Sequence, residues 1–484
     1  MMVTATRTNV VLKPNIARVL FRPFQFGDPV RYIKIIARIL SLPERDAAEQ
    51  AEAVLADFKS RHQHLGKYFL RRYEQVKDSL PVAEAQVSAA RRVLIGAYFT
   101  LEYSLESAAL MNPSIVPDPD QRGLPPGSLR FVISLRAVGE GHISSITFGT
   151  GVIDAANNIH MSEDSPFVTS PEFVPNSIYE KALFEKKLAE LDRLNDISRA
   201  MIAALDETFN LDQLKANVEL VKRQQRSRGA ETERVAHDVI ALAKANYEMV
   251  YDTNTDITER VIFPYAPHES NGIEDARFVR FIDENGKPTY YGTYTAYDGK
   301  QIFPQMVETT DFRRFNITTL NGPEVQNKGM ALFPRKIGGN YAMISRQDGE
   351  NIYIMFSEHL HFWYTKQLLL KPTFPWEFVQ LGNCGSPIET DAGWLLLTHG
   401  VGPMRKYSIG AALLDKDDPS KVIGRTTEPI LTPNANEREG YVPNVVYSCG
   451  SLVHNGMVVL PYAMSDYASS FALISLDELL GAMK

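Results

Sequence analysis

The feature that most constrains this fold is a β-strand pattern that recurs four times after Ile262. Each unit opens with an apolar strand, turns at Gly or Asn and continues as a second strand; the units are residues 278–298, 331–347, 386–415 and 444–466. Their spacing of roughly 55 residues lies in the upper range for propeller blades of four short strands. The stretch 129–152 has the same pattern and predicts a fifth unit.

So many short antiparallel units would expose unpaired strand edges in an open arrangement, and radial closure hides those edges. We therefore predict an all-β five-bladed β-propeller with an N-terminal helical region and a helical insertion. An irregular pair of β-sandwiches is the alternative.

Helical spacing marks the other segments of the chain. Ala, Glu, Leu, Lys and Arg dominate residues 42–78, and a second helical pattern covers 82–110. A third helical pattern covers 177–250 and contains almost no Gly or Pro before Gly229. These patterns predict an N-terminal helical region at residues 1–112, a first β unit of the propeller at 113–176, a helical insertion at 177–250 and the remaining propeller blades at 251–484. The apolar stripes of the helices need a partner surface, so we expect them to cover the channel mouth or form a homo-oligomer interface.

Charge and cysteine usage narrow the class of protein. The net charge of −7 comes without a basic stripe, which argues against a nucleic-acid partner. Cys384 and Cys449 are the two cysteines of the sequence, and no Cys/His spacing suggests zinc, so no metal is expected. No apolar run approaches the roughly 20 residues of a membrane span, and the first residues lack a signal peptide. We expect a soluble, reduced, cytoplasmic protein with no membrane partner and no cofactor.

Polar residues at the starts of the β units are the candidate site. In a propeller, loops at one end of the central channel bring residues from every blade to a common point. The most informative stretch is Asn-Gly-Ile-Glu-Asp-Ala-Arg at 271–277, where two adjacent carboxylates lie beside a guanidinium. The residues predicted to bind substrate are Glu274, Arg277, Asn327, Ser386, Tyr441, Asn444 and Asp466.

Arginines at the ends of apolar strands suggest an anion. Arg136 and Arg346 have this placement, and guanidinium groups bind phosphate through two parallel hydrogen bonds. The alternative is that these cations form ion pairs that hold blades together. His399 and Asp466 also end apolar strands, where capping a turn is as good an explanation as function.

Four ordered stretches carry a resemblance to a known family. They are the 271–277 motif, Asn-Lys-Gly-Met-Ala-Leu-Phe-Pro-Arg at 327–335, Ser-Pro-Ile-Glu-Thr-Asp-Ala-Gly-Trp-Leu-Leu-Leu-Thr-His-Gly at 386–400 and Gly-Ala-Ala-Leu-Leu-Asp at 410–415. Together they resemble glycoside hydrolase family 130, over about residues 264–480. That family comprises β-mannoside phosphorylases and some β-1,2-mannosidases on a five-bladed propeller.

The resemblance implies cleavage of a β-mannosidic bond with inversion. The family's general acid, which protonates the leaving oxygen through a mannose hydroxyl, matches Asp275. In an inverting phosphorylase inorganic phosphate is the co-substrate and attacks the anomeric carbon, so cations replace the second carboxylate of an inverting hydrolase. With Arg136 from its strand position, the implied phosphate-binding residues are Lys328, Arg346, His399, Arg405 and Tyr407.

Three functions remain open at this point. Phosphorolysis of an oligosaccharide to mannose 1-phosphate is the leading hypothesis. An inverting β-1,2-mannosidase is the alternative, with Glu140, Glu389 or Glu439 as the base. A non-catalytic carbohydrate-binding propeller is the third, because Ala276 stands where the family has Pro.

Overall fold

The chain is mostly β-sheet, with helices near its beginning and in its middle. The computed structural model describes residues 3–174, 178–225 and 229–483. Within these ranges, five antiparallel sheets of four to six strands hold most of the strands. No helix in the described ranges is long and apolar enough to cross a membrane.

The first hundred residues combine three strands with four helices. In chain order these are β1 (Thr6–Leu12), β2 (Val19–Pro23), α1 (Pro29–Leu40), α2 (Glu44–Phe58), α3 (Leu65–Val76), α4 (Ala89–Tyr98) and β3 (Thr100–Ser104). Helix α1 begins where the Asp28 side chain accepts the Val30 N–H, with Pro29 in the first turn. The helices enclose an apolar core that includes Tyr73 and Phe99.

The middle of the chain holds a β unit followed by a helical segment. The β unit contains β4 (Ala109–Pro117), β5 (Leu129–Val138), β6 (Ser144–Ile153) and β7 (Ile159–Met161). The next elements are β8 (Glu172–Val174), β9 (Ile178–Glu180), α5 (Lys181–Glu190), α6 (Asp196–Ala203), β10 (Thr208–Asn210), α7 (Leu211–Gln224), α8 (Gly229–Lys244), β11 (Tyr247–Val250) and β12 (Val261–Ile262). Helices α5 to α8 share an apolar core of their own.

From Ile273 the chain is β-sheet almost to its end. Two four-strand runs come first: β13 (Ile273–Ile282), β14 (Pro288–Tyr297), β15 (Ile302–Thr309), β16 (Arg314–Thr319), β17 (Ala331–Leu332), β18 (Tyr341–Ser345), β19 (Ile352–Ser357) and β20 (Gln367–Leu370). They are followed by β21 (Gln380–Asn383), β22 (Ile388–Thr390), β23 (Gly393–Val401), β24 (Tyr407–Leu414), β25 (Val422–Arg425), β26 (Val446–Tyr447), β27 (Leu452–His454), β28 (Met457–Met464), β29 (Ala468–Ser475) and α9 (Leu476–Ala482).

The strands form five main sheets, which we number along the chain. The first is β12-β6-β5-β4 with β7, the second β13-β14-β15-β16-β11-β8, the third β17-β18-β19-β20, the fourth β21-β23-β24-β25 with β22, and the fifth β1-β29-β28-β26 with β27. Shared apolar clusters join each sheet to the next, and another joins the fifth sheet to the first.

The structure differs from the sequence prediction within residues 1–112. Strand β1 belongs to the fifth sheet, where it pairs with β29. The helical pattern predicted for 82–110 ends at Tyr98, and β4 already begins at Ala109. Nearly all of β4 is buried and paired with β5, so tertiary packing overrides the helical preference of Ala, Leu and Met there.

The buried carboxylate of Glu437 holds β1 in its place in the fifth sheet. Arg7 donates two hydrogen bonds of 2.7 Å to Glu437, and the Tyr462 hydroxyl donates a third of 2.7 Å. Burial alone would raise the pKa of Glu437. The bonds from Arg7, Tyr462 and the Asn434 N–H outweigh burial, so the pKa of Glu437 is lowered.

Glu437→Gln should destabilise the protein by about 2 kcal/mol at neutral pH, because Arg7 loses its charged partner while Glu437 is nearly fully buried. The folded state lowers the pKa of Glu437, so its contribution is present above the ordinary carboxyl pKa and is lost as pH falls through the folded value. The gap between the two denaturant midpoints should therefore shrink below about pH 4.

The control for this comparison is Glu49→Gln, which removes the exposed Arg45–Glu49 pair. Exposed pairs contribute less than about 1 kcal/mol. An equal loss of stability in the two variants would contradict the role given to Glu437.

Candidate active site

Two β-bulges on neighbouring strands turn polar side chains toward one another. The pairing of β4 with β5 shifts register at Asn112 and Pro113, and the pairing of β13 with β14 shifts at Asp275 and Ala276. Bulges of this kind re-aim side chains and are common beside active sites. Here Asn112 Nδ2 donates a hydrogen bond of 2.6 Å to Asp275 Oδ1.

Left-handed backbone recurs around this contact. Non-glycine residues with φ between 51° and 64° include Asn112, His142, Asp275, Asn327, Arg405, Asn444 and Asp466. Asn and Asp tolerate this conformation best among residues with a side chain, which agrees with five of the seven identities. Such conformations cost roughly 1 kcal/mol or more, and the surrounding contacts must hold each of these residues in place.

Cations surround the two adjacent carboxylates of β13. Arg136 Nη2 donates to Glu274 Oε1 at 2.7 Å, and Lys328 Nζ donates to Glu274 Oε2 at 2.5 Å. The other nitrogen, Arg136 Nη1, lies 3.6 Å from Asp275 Oδ1. Glu274 therefore holds Arg136 and Lys328 on either side of itself, next to Asp275.

The charge state of Asp275 follows from these neighbours. Burial by itself would raise the pKa of the Asp275 carboxyl. The positive charges of Arg136, Arg277 and Lys328 act in the opposite direction and prevail, with help from the Asn112 hydrogen bond, so the pKa is lowered. Asp275 is thus an ionised carboxylate in the free protein at neutral pH.

Arg277 lies beneath this carboxylate and is almost fully buried. Its Nη1 donates to the Asp275 carbonyl oxygen at 2.8 Å, its Nη2 to the Tyr447 hydroxyl at 2.7 Å, and its Nε to Asn383 Oδ1 at 3.2 Å. Each of these nitrogens has a partner inside the protein. Arg277 therefore holds the Asp275 backbone in place.

His399 and Arg346 form a second part of the site. His399 Nδ1 lies 3.2 Å from the Asn383 carbonyl oxygen, and His399 Nε2 lies 3.3 Å from Arg346 Nη1. A carbonyl oxygen only accepts, so Nδ1 carries the proton and Nε2 accepts from the guanidinium. Burial, followed by the charges of Arg346 and Arg277, lowers the pKa of His399 well below its usual value. Neutral His399 orients Arg346.

Asp466 is a second carboxyl group near Asp275. Burial and then the charge of Asp275 raise its pKa to about 6, while Arg136 and Arg405 act against this. Arg405 itself is exposed. The Tyr407 ring stacks on His399 with centroids 5.9 Å apart. The structure therefore brings Asp466, Arg405 and Tyr407 to the same side as Asp275 and His399.

Exposed loops form the rim around these groups. Tyr441 is 65% exposed, and its ring lies 5.7 Å from the ring of His142, in the turn between β5 and β6. Glu140 in that turn and Glu439 beside Tyr441 are both exposed. Asn444 accepts a hydrogen bond of 2.6 Å from Arg438 Nε.

Three predicted site residues make contacts that do not involve Asp275, namely Asn327, Ser386 and Glu389. Asn327 donates to the Gln347 carbonyl oxygen at 3.1 Å and so holds its own turn. Ser386 and Glu389 line a cavity of about 290 Å³ with Pro334, near the far ends of the inner strands. Glu389 accepts two bonds from Arg335, at 2.7 and 2.9 Å. Neither Ser386 nor Glu389 contacts the groups around Asp275.

Sequence reasoning missed three residues of this arrangement, namely Asn112, Asn383 and Tyr447. The one available signal was Asn112-Pro113, because Pro inside a strand is largely confined to edges and bulges. Asn383 gave no sign of its three roles. It accepts from Arg277, its Nδ2 donates to the Gly329 carbonyl oxygen at 2.5 Å, and its own carbonyl oxygen accepts from His399.

Comparison with known proteins identifies the family of this chain. Residues 229–484 match the family model described as beta-1,4-mannooligosaccharide phosphorylase. A 1,2-beta-oligomannan phosphorylase of a Thermoanaerobacter species is 37% identical over 219 residues, which cover 44% of this chain and 71% of the relative. A beta-1,4-mannooligosaccharide phosphorylase of Ruminococcus albus is 34% identical over 251 residues, covering 48% of this chain and 72% of the relative.

Among solved structures, the chain resembles the Listeria innocua beta-1,2-mannobiose phosphorylase in complex with beta-1,2-mannobiose. The TM-score is 0.46 at 20% identity, over 78% of this chain and 92% of that one. These sequence matches show that the protein belongs to a family of carbohydrate-active enzymes. It is a member of glycoside hydrolase family 130.

The His399 ring should remain neutral, with the proton on Nδ1, at pH 6.5, where an ordinary histidine is about half protonated, because burial lowers its pKa. Nitrogen-15 NMR of the imidazoles checks this, with His399→Gln to assign the signal. A signal that titrates near pH 6.5, or a proton on Nε2, would contradict the orientation given to Arg346.

Proposed function

We propose that this protein is an inverting glycoside phosphorylase that cleaves β-mannosides with inorganic phosphate and releases mannose 1-phosphate. The observation that carries the proposal is the Asp275 carboxylate, held among Arg136, Arg277 and Lys328 in a chain of this family. Such a site offers an acid that can protonate the leaving oxygen and cations that can bind an anionic nucleophile.

The five sheets are the blades of a five-bladed propeller in this proposal. Their sequential apolar contacts, with the fifth sheet packed on the first, support a closed ring. Helices α1 to α4 and α5 to α8 are additions at residues 1–112 and 177–250, and an oligomer interface through one of these helical groups is part of the proposal.

Asp275 is the general acid. It protonates the leaving oxygen, directly or through a hydroxyl of the mannose, as the bond to the anomeric carbon breaks. The carboxylate is ionised in the free protein because cations lower its pKa. A phosphate dianion held by Lys328 would offset part of that positive charge and raise the pKa of Asp275, so phosphate binding favours the protonated acid.

Phosphate attacks the anomeric carbon from the face opposite the leaving oxygen, which inverts the configuration. Lys328, Arg346 and Arg405 supply positive charge for it, and the Tyr407 hydroxyl supplies a hydrogen bond. Arg136 shares its charge with Glu274. His399 is a positioning residue, because its neutral ring accepts from Arg346.

The sugar occupies the space bounded by the remaining polar groups. Glu274 and Asp466 offer carboxylate oxygens to mannose hydroxyls, and Tyr441 and Asn444 contribute from the rim. Arg277 acts beneath Asp275 rather than on the sugar. We retain Asn327 as a support for the turn that presents Lys328.

A hydrolase would require a second carboxylate that activates water. Glu389 is paired with Arg335 away from Asp275, and Glu140 and Glu439 lie on exposed rim loops. No particular contact favours any of them as a base. The named relatives quoted above are phosphorylases, which supports phosphate as the nucleophile.

We propose a cytoplasmic location, in keeping with free, buried Cys384 and Cys449. A neutral oligosaccharide and phosphate are the proposed substrates, with no cofactor. The acidic net charge does not favour nucleic acid as a partner.

Incubation with β-1,2-mannobiose or β-1,4-mannobiose should release mannose 1-phosphate only when phosphate is present. Asp275→Asn should lower kcat by about 100-fold to 10,000-fold while the protein stays folded, because the leaving oxygen loses its acid. The exposed Asp391→Asn is the matched control and should keep wild-type turnover. Free mannose as the sole product would refute the proposal, and so would full activity of Asp275→Asn.

Arg346→Ala should raise the KM for phosphate about 10-fold to 100-fold, which corresponds to the loss of one charged hydrogen bond. The KM for the mannoside should change much less. Arg335→Ala removes an arginine that pairs with Glu389 away from Asp275, and serves as the control. An unchanged KM for phosphate in Arg346→Ala would exclude Arg346 from the phosphate site.

A further inference from the structure

One cavity lies away from Asp275. It has a volume of about 640 Å³ and separates the start of the helical insertion from the outer strands of the second sheet. We call it the insertion groove, and its walls include Ile178, Phe184, Glu308, Asn316 and Thr318. Its volume is within the usual range of small-molecule sites.

One wall is a polar strand face. Arg314, Asn316 and Thr318 alternate along β16, so their side chains project from the same face of the sheet. Glu308 on β15 and Glu248 on β11 flank Asn316 in register. Within the described residues, the side chains of Glu308, Asn316 and Thr318 form no hydrogen bond with the protein, so their hydrogen-bonding capacity is available to a ligand.

The opposite wall is largely apolar. It consists of Ile178 at the start of β9 and of Leu183 and Phe184 on α5. Ile178 is 75% exposed. Helix α5 is fixed in place, because Lys187 donates to the Leu320 carbonyl oxygen at 2.8 Å and Glu190 accepts from the Gly322 N–H at 2.7 Å.

The charges of the groove do not favour an anionic ligand. Glu180, Glu248 and Glu308 outnumber Lys187 and Arg314 along the walls. Arg314 is already paired with Glu248, and Lys187 with Glu190. Hydroxyl and amide side chains make up most of the other polar lining. A neutral polyhydroxylated ligand fits these two walls. Its hydroxyls can bond to the free polar groups of one wall, and its C–H faces can pack on the apolar groups of the other.

We propose that the insertion groove is a second carbohydrate-binding site that holds a neutral oligosaccharide, separate from the site at Asp275. Strand β16 is three strands away from β13, a distance of about 14 Å at the usual strand spacing. The groove can therefore bind a sugar without contact with Asp275. Only the choice of a mannoside as probe rests on the proposed function.

The experiment is calorimetric titration with β-1,2-mannotriose in phosphate-free buffer, where phosphorolysis has no nucleophile. The wild type should bind two equivalents. Asn316→Ala/Thr318→Val should bind one, with kcat/KM for β-1,2-mannobiose within about twofold of wild type. Asn9→Ala, an exposed asparagine on β1, is the matched control and should keep both equivalents.

Ile178→Asp changes the other wall at an exposed position, and it should also remove one equivalent even if the double variant folds poorly. One equivalent in the wild type and in all variants would overturn the proposal, as would loss of phosphorolysis in parallel with the loss of binding. The wild type could release no mannose 1-phosphate while the groove variants still bind one equivalent of mannotriose fewer. That result would refute the proposed function but support the second binding site in the groove.

Discussion

The site depends on two strand irregularities that meet. Asn112 and Asp275 lie at β-bulges in different sheets, and their hydrogen bond spans the contact between those sheets. A bulge shifts the alternation of side chains by one residue, so it also decides which face each later residue occupies. Beyond Asp275, Phe278 packs on the first sheet and Val279 on the third. The same backbone bulge that turns Asp275 toward Asn112 thus sets the packing of two interfaces.

Two carboxyl groups in this site have opposite pKa shifts for reasons visible in their surroundings. Cations prevail over burial at Asp275 and lower its pKa, whereas burial and the charge of Asp275 raise the pKa of Asp466 to about 6. Glu274 keeps Arg136 and Lys328 close in the absence of a ligand. Positive charge is therefore held beside Asp275, so an anion bound here would raise the proton affinity of that carboxylate through electrostatics.

The sequence was sufficient for the repeated β units, the helical segments, the family and the acidic motif, because these depend on local periodicity and on contiguous residues. It was insufficient where distant residues meet. Asn112 is the last residue of the predicted helical region 1–112, yet it contacts Asp275, 163 positions away. His399 looked like an anion ligand, yet burial and the charge of Arg346 lower its pKa and keep its ring neutral. Ser386 and Glu389 belong to a family motif that continues past the site toward the opposite end of the strands.

The pairing of β1 with β29 has a consequence for how the chain reaches its folded state. Thr6 lies opposite Leu473, so the fifth sheet joins two strands that are very far apart along the chain. Contacts between such remote positions form slowly, because a very long loop must close first. The β1–β29 pairing is therefore expected to be among the last contacts to form, and it completes the fifth sheet.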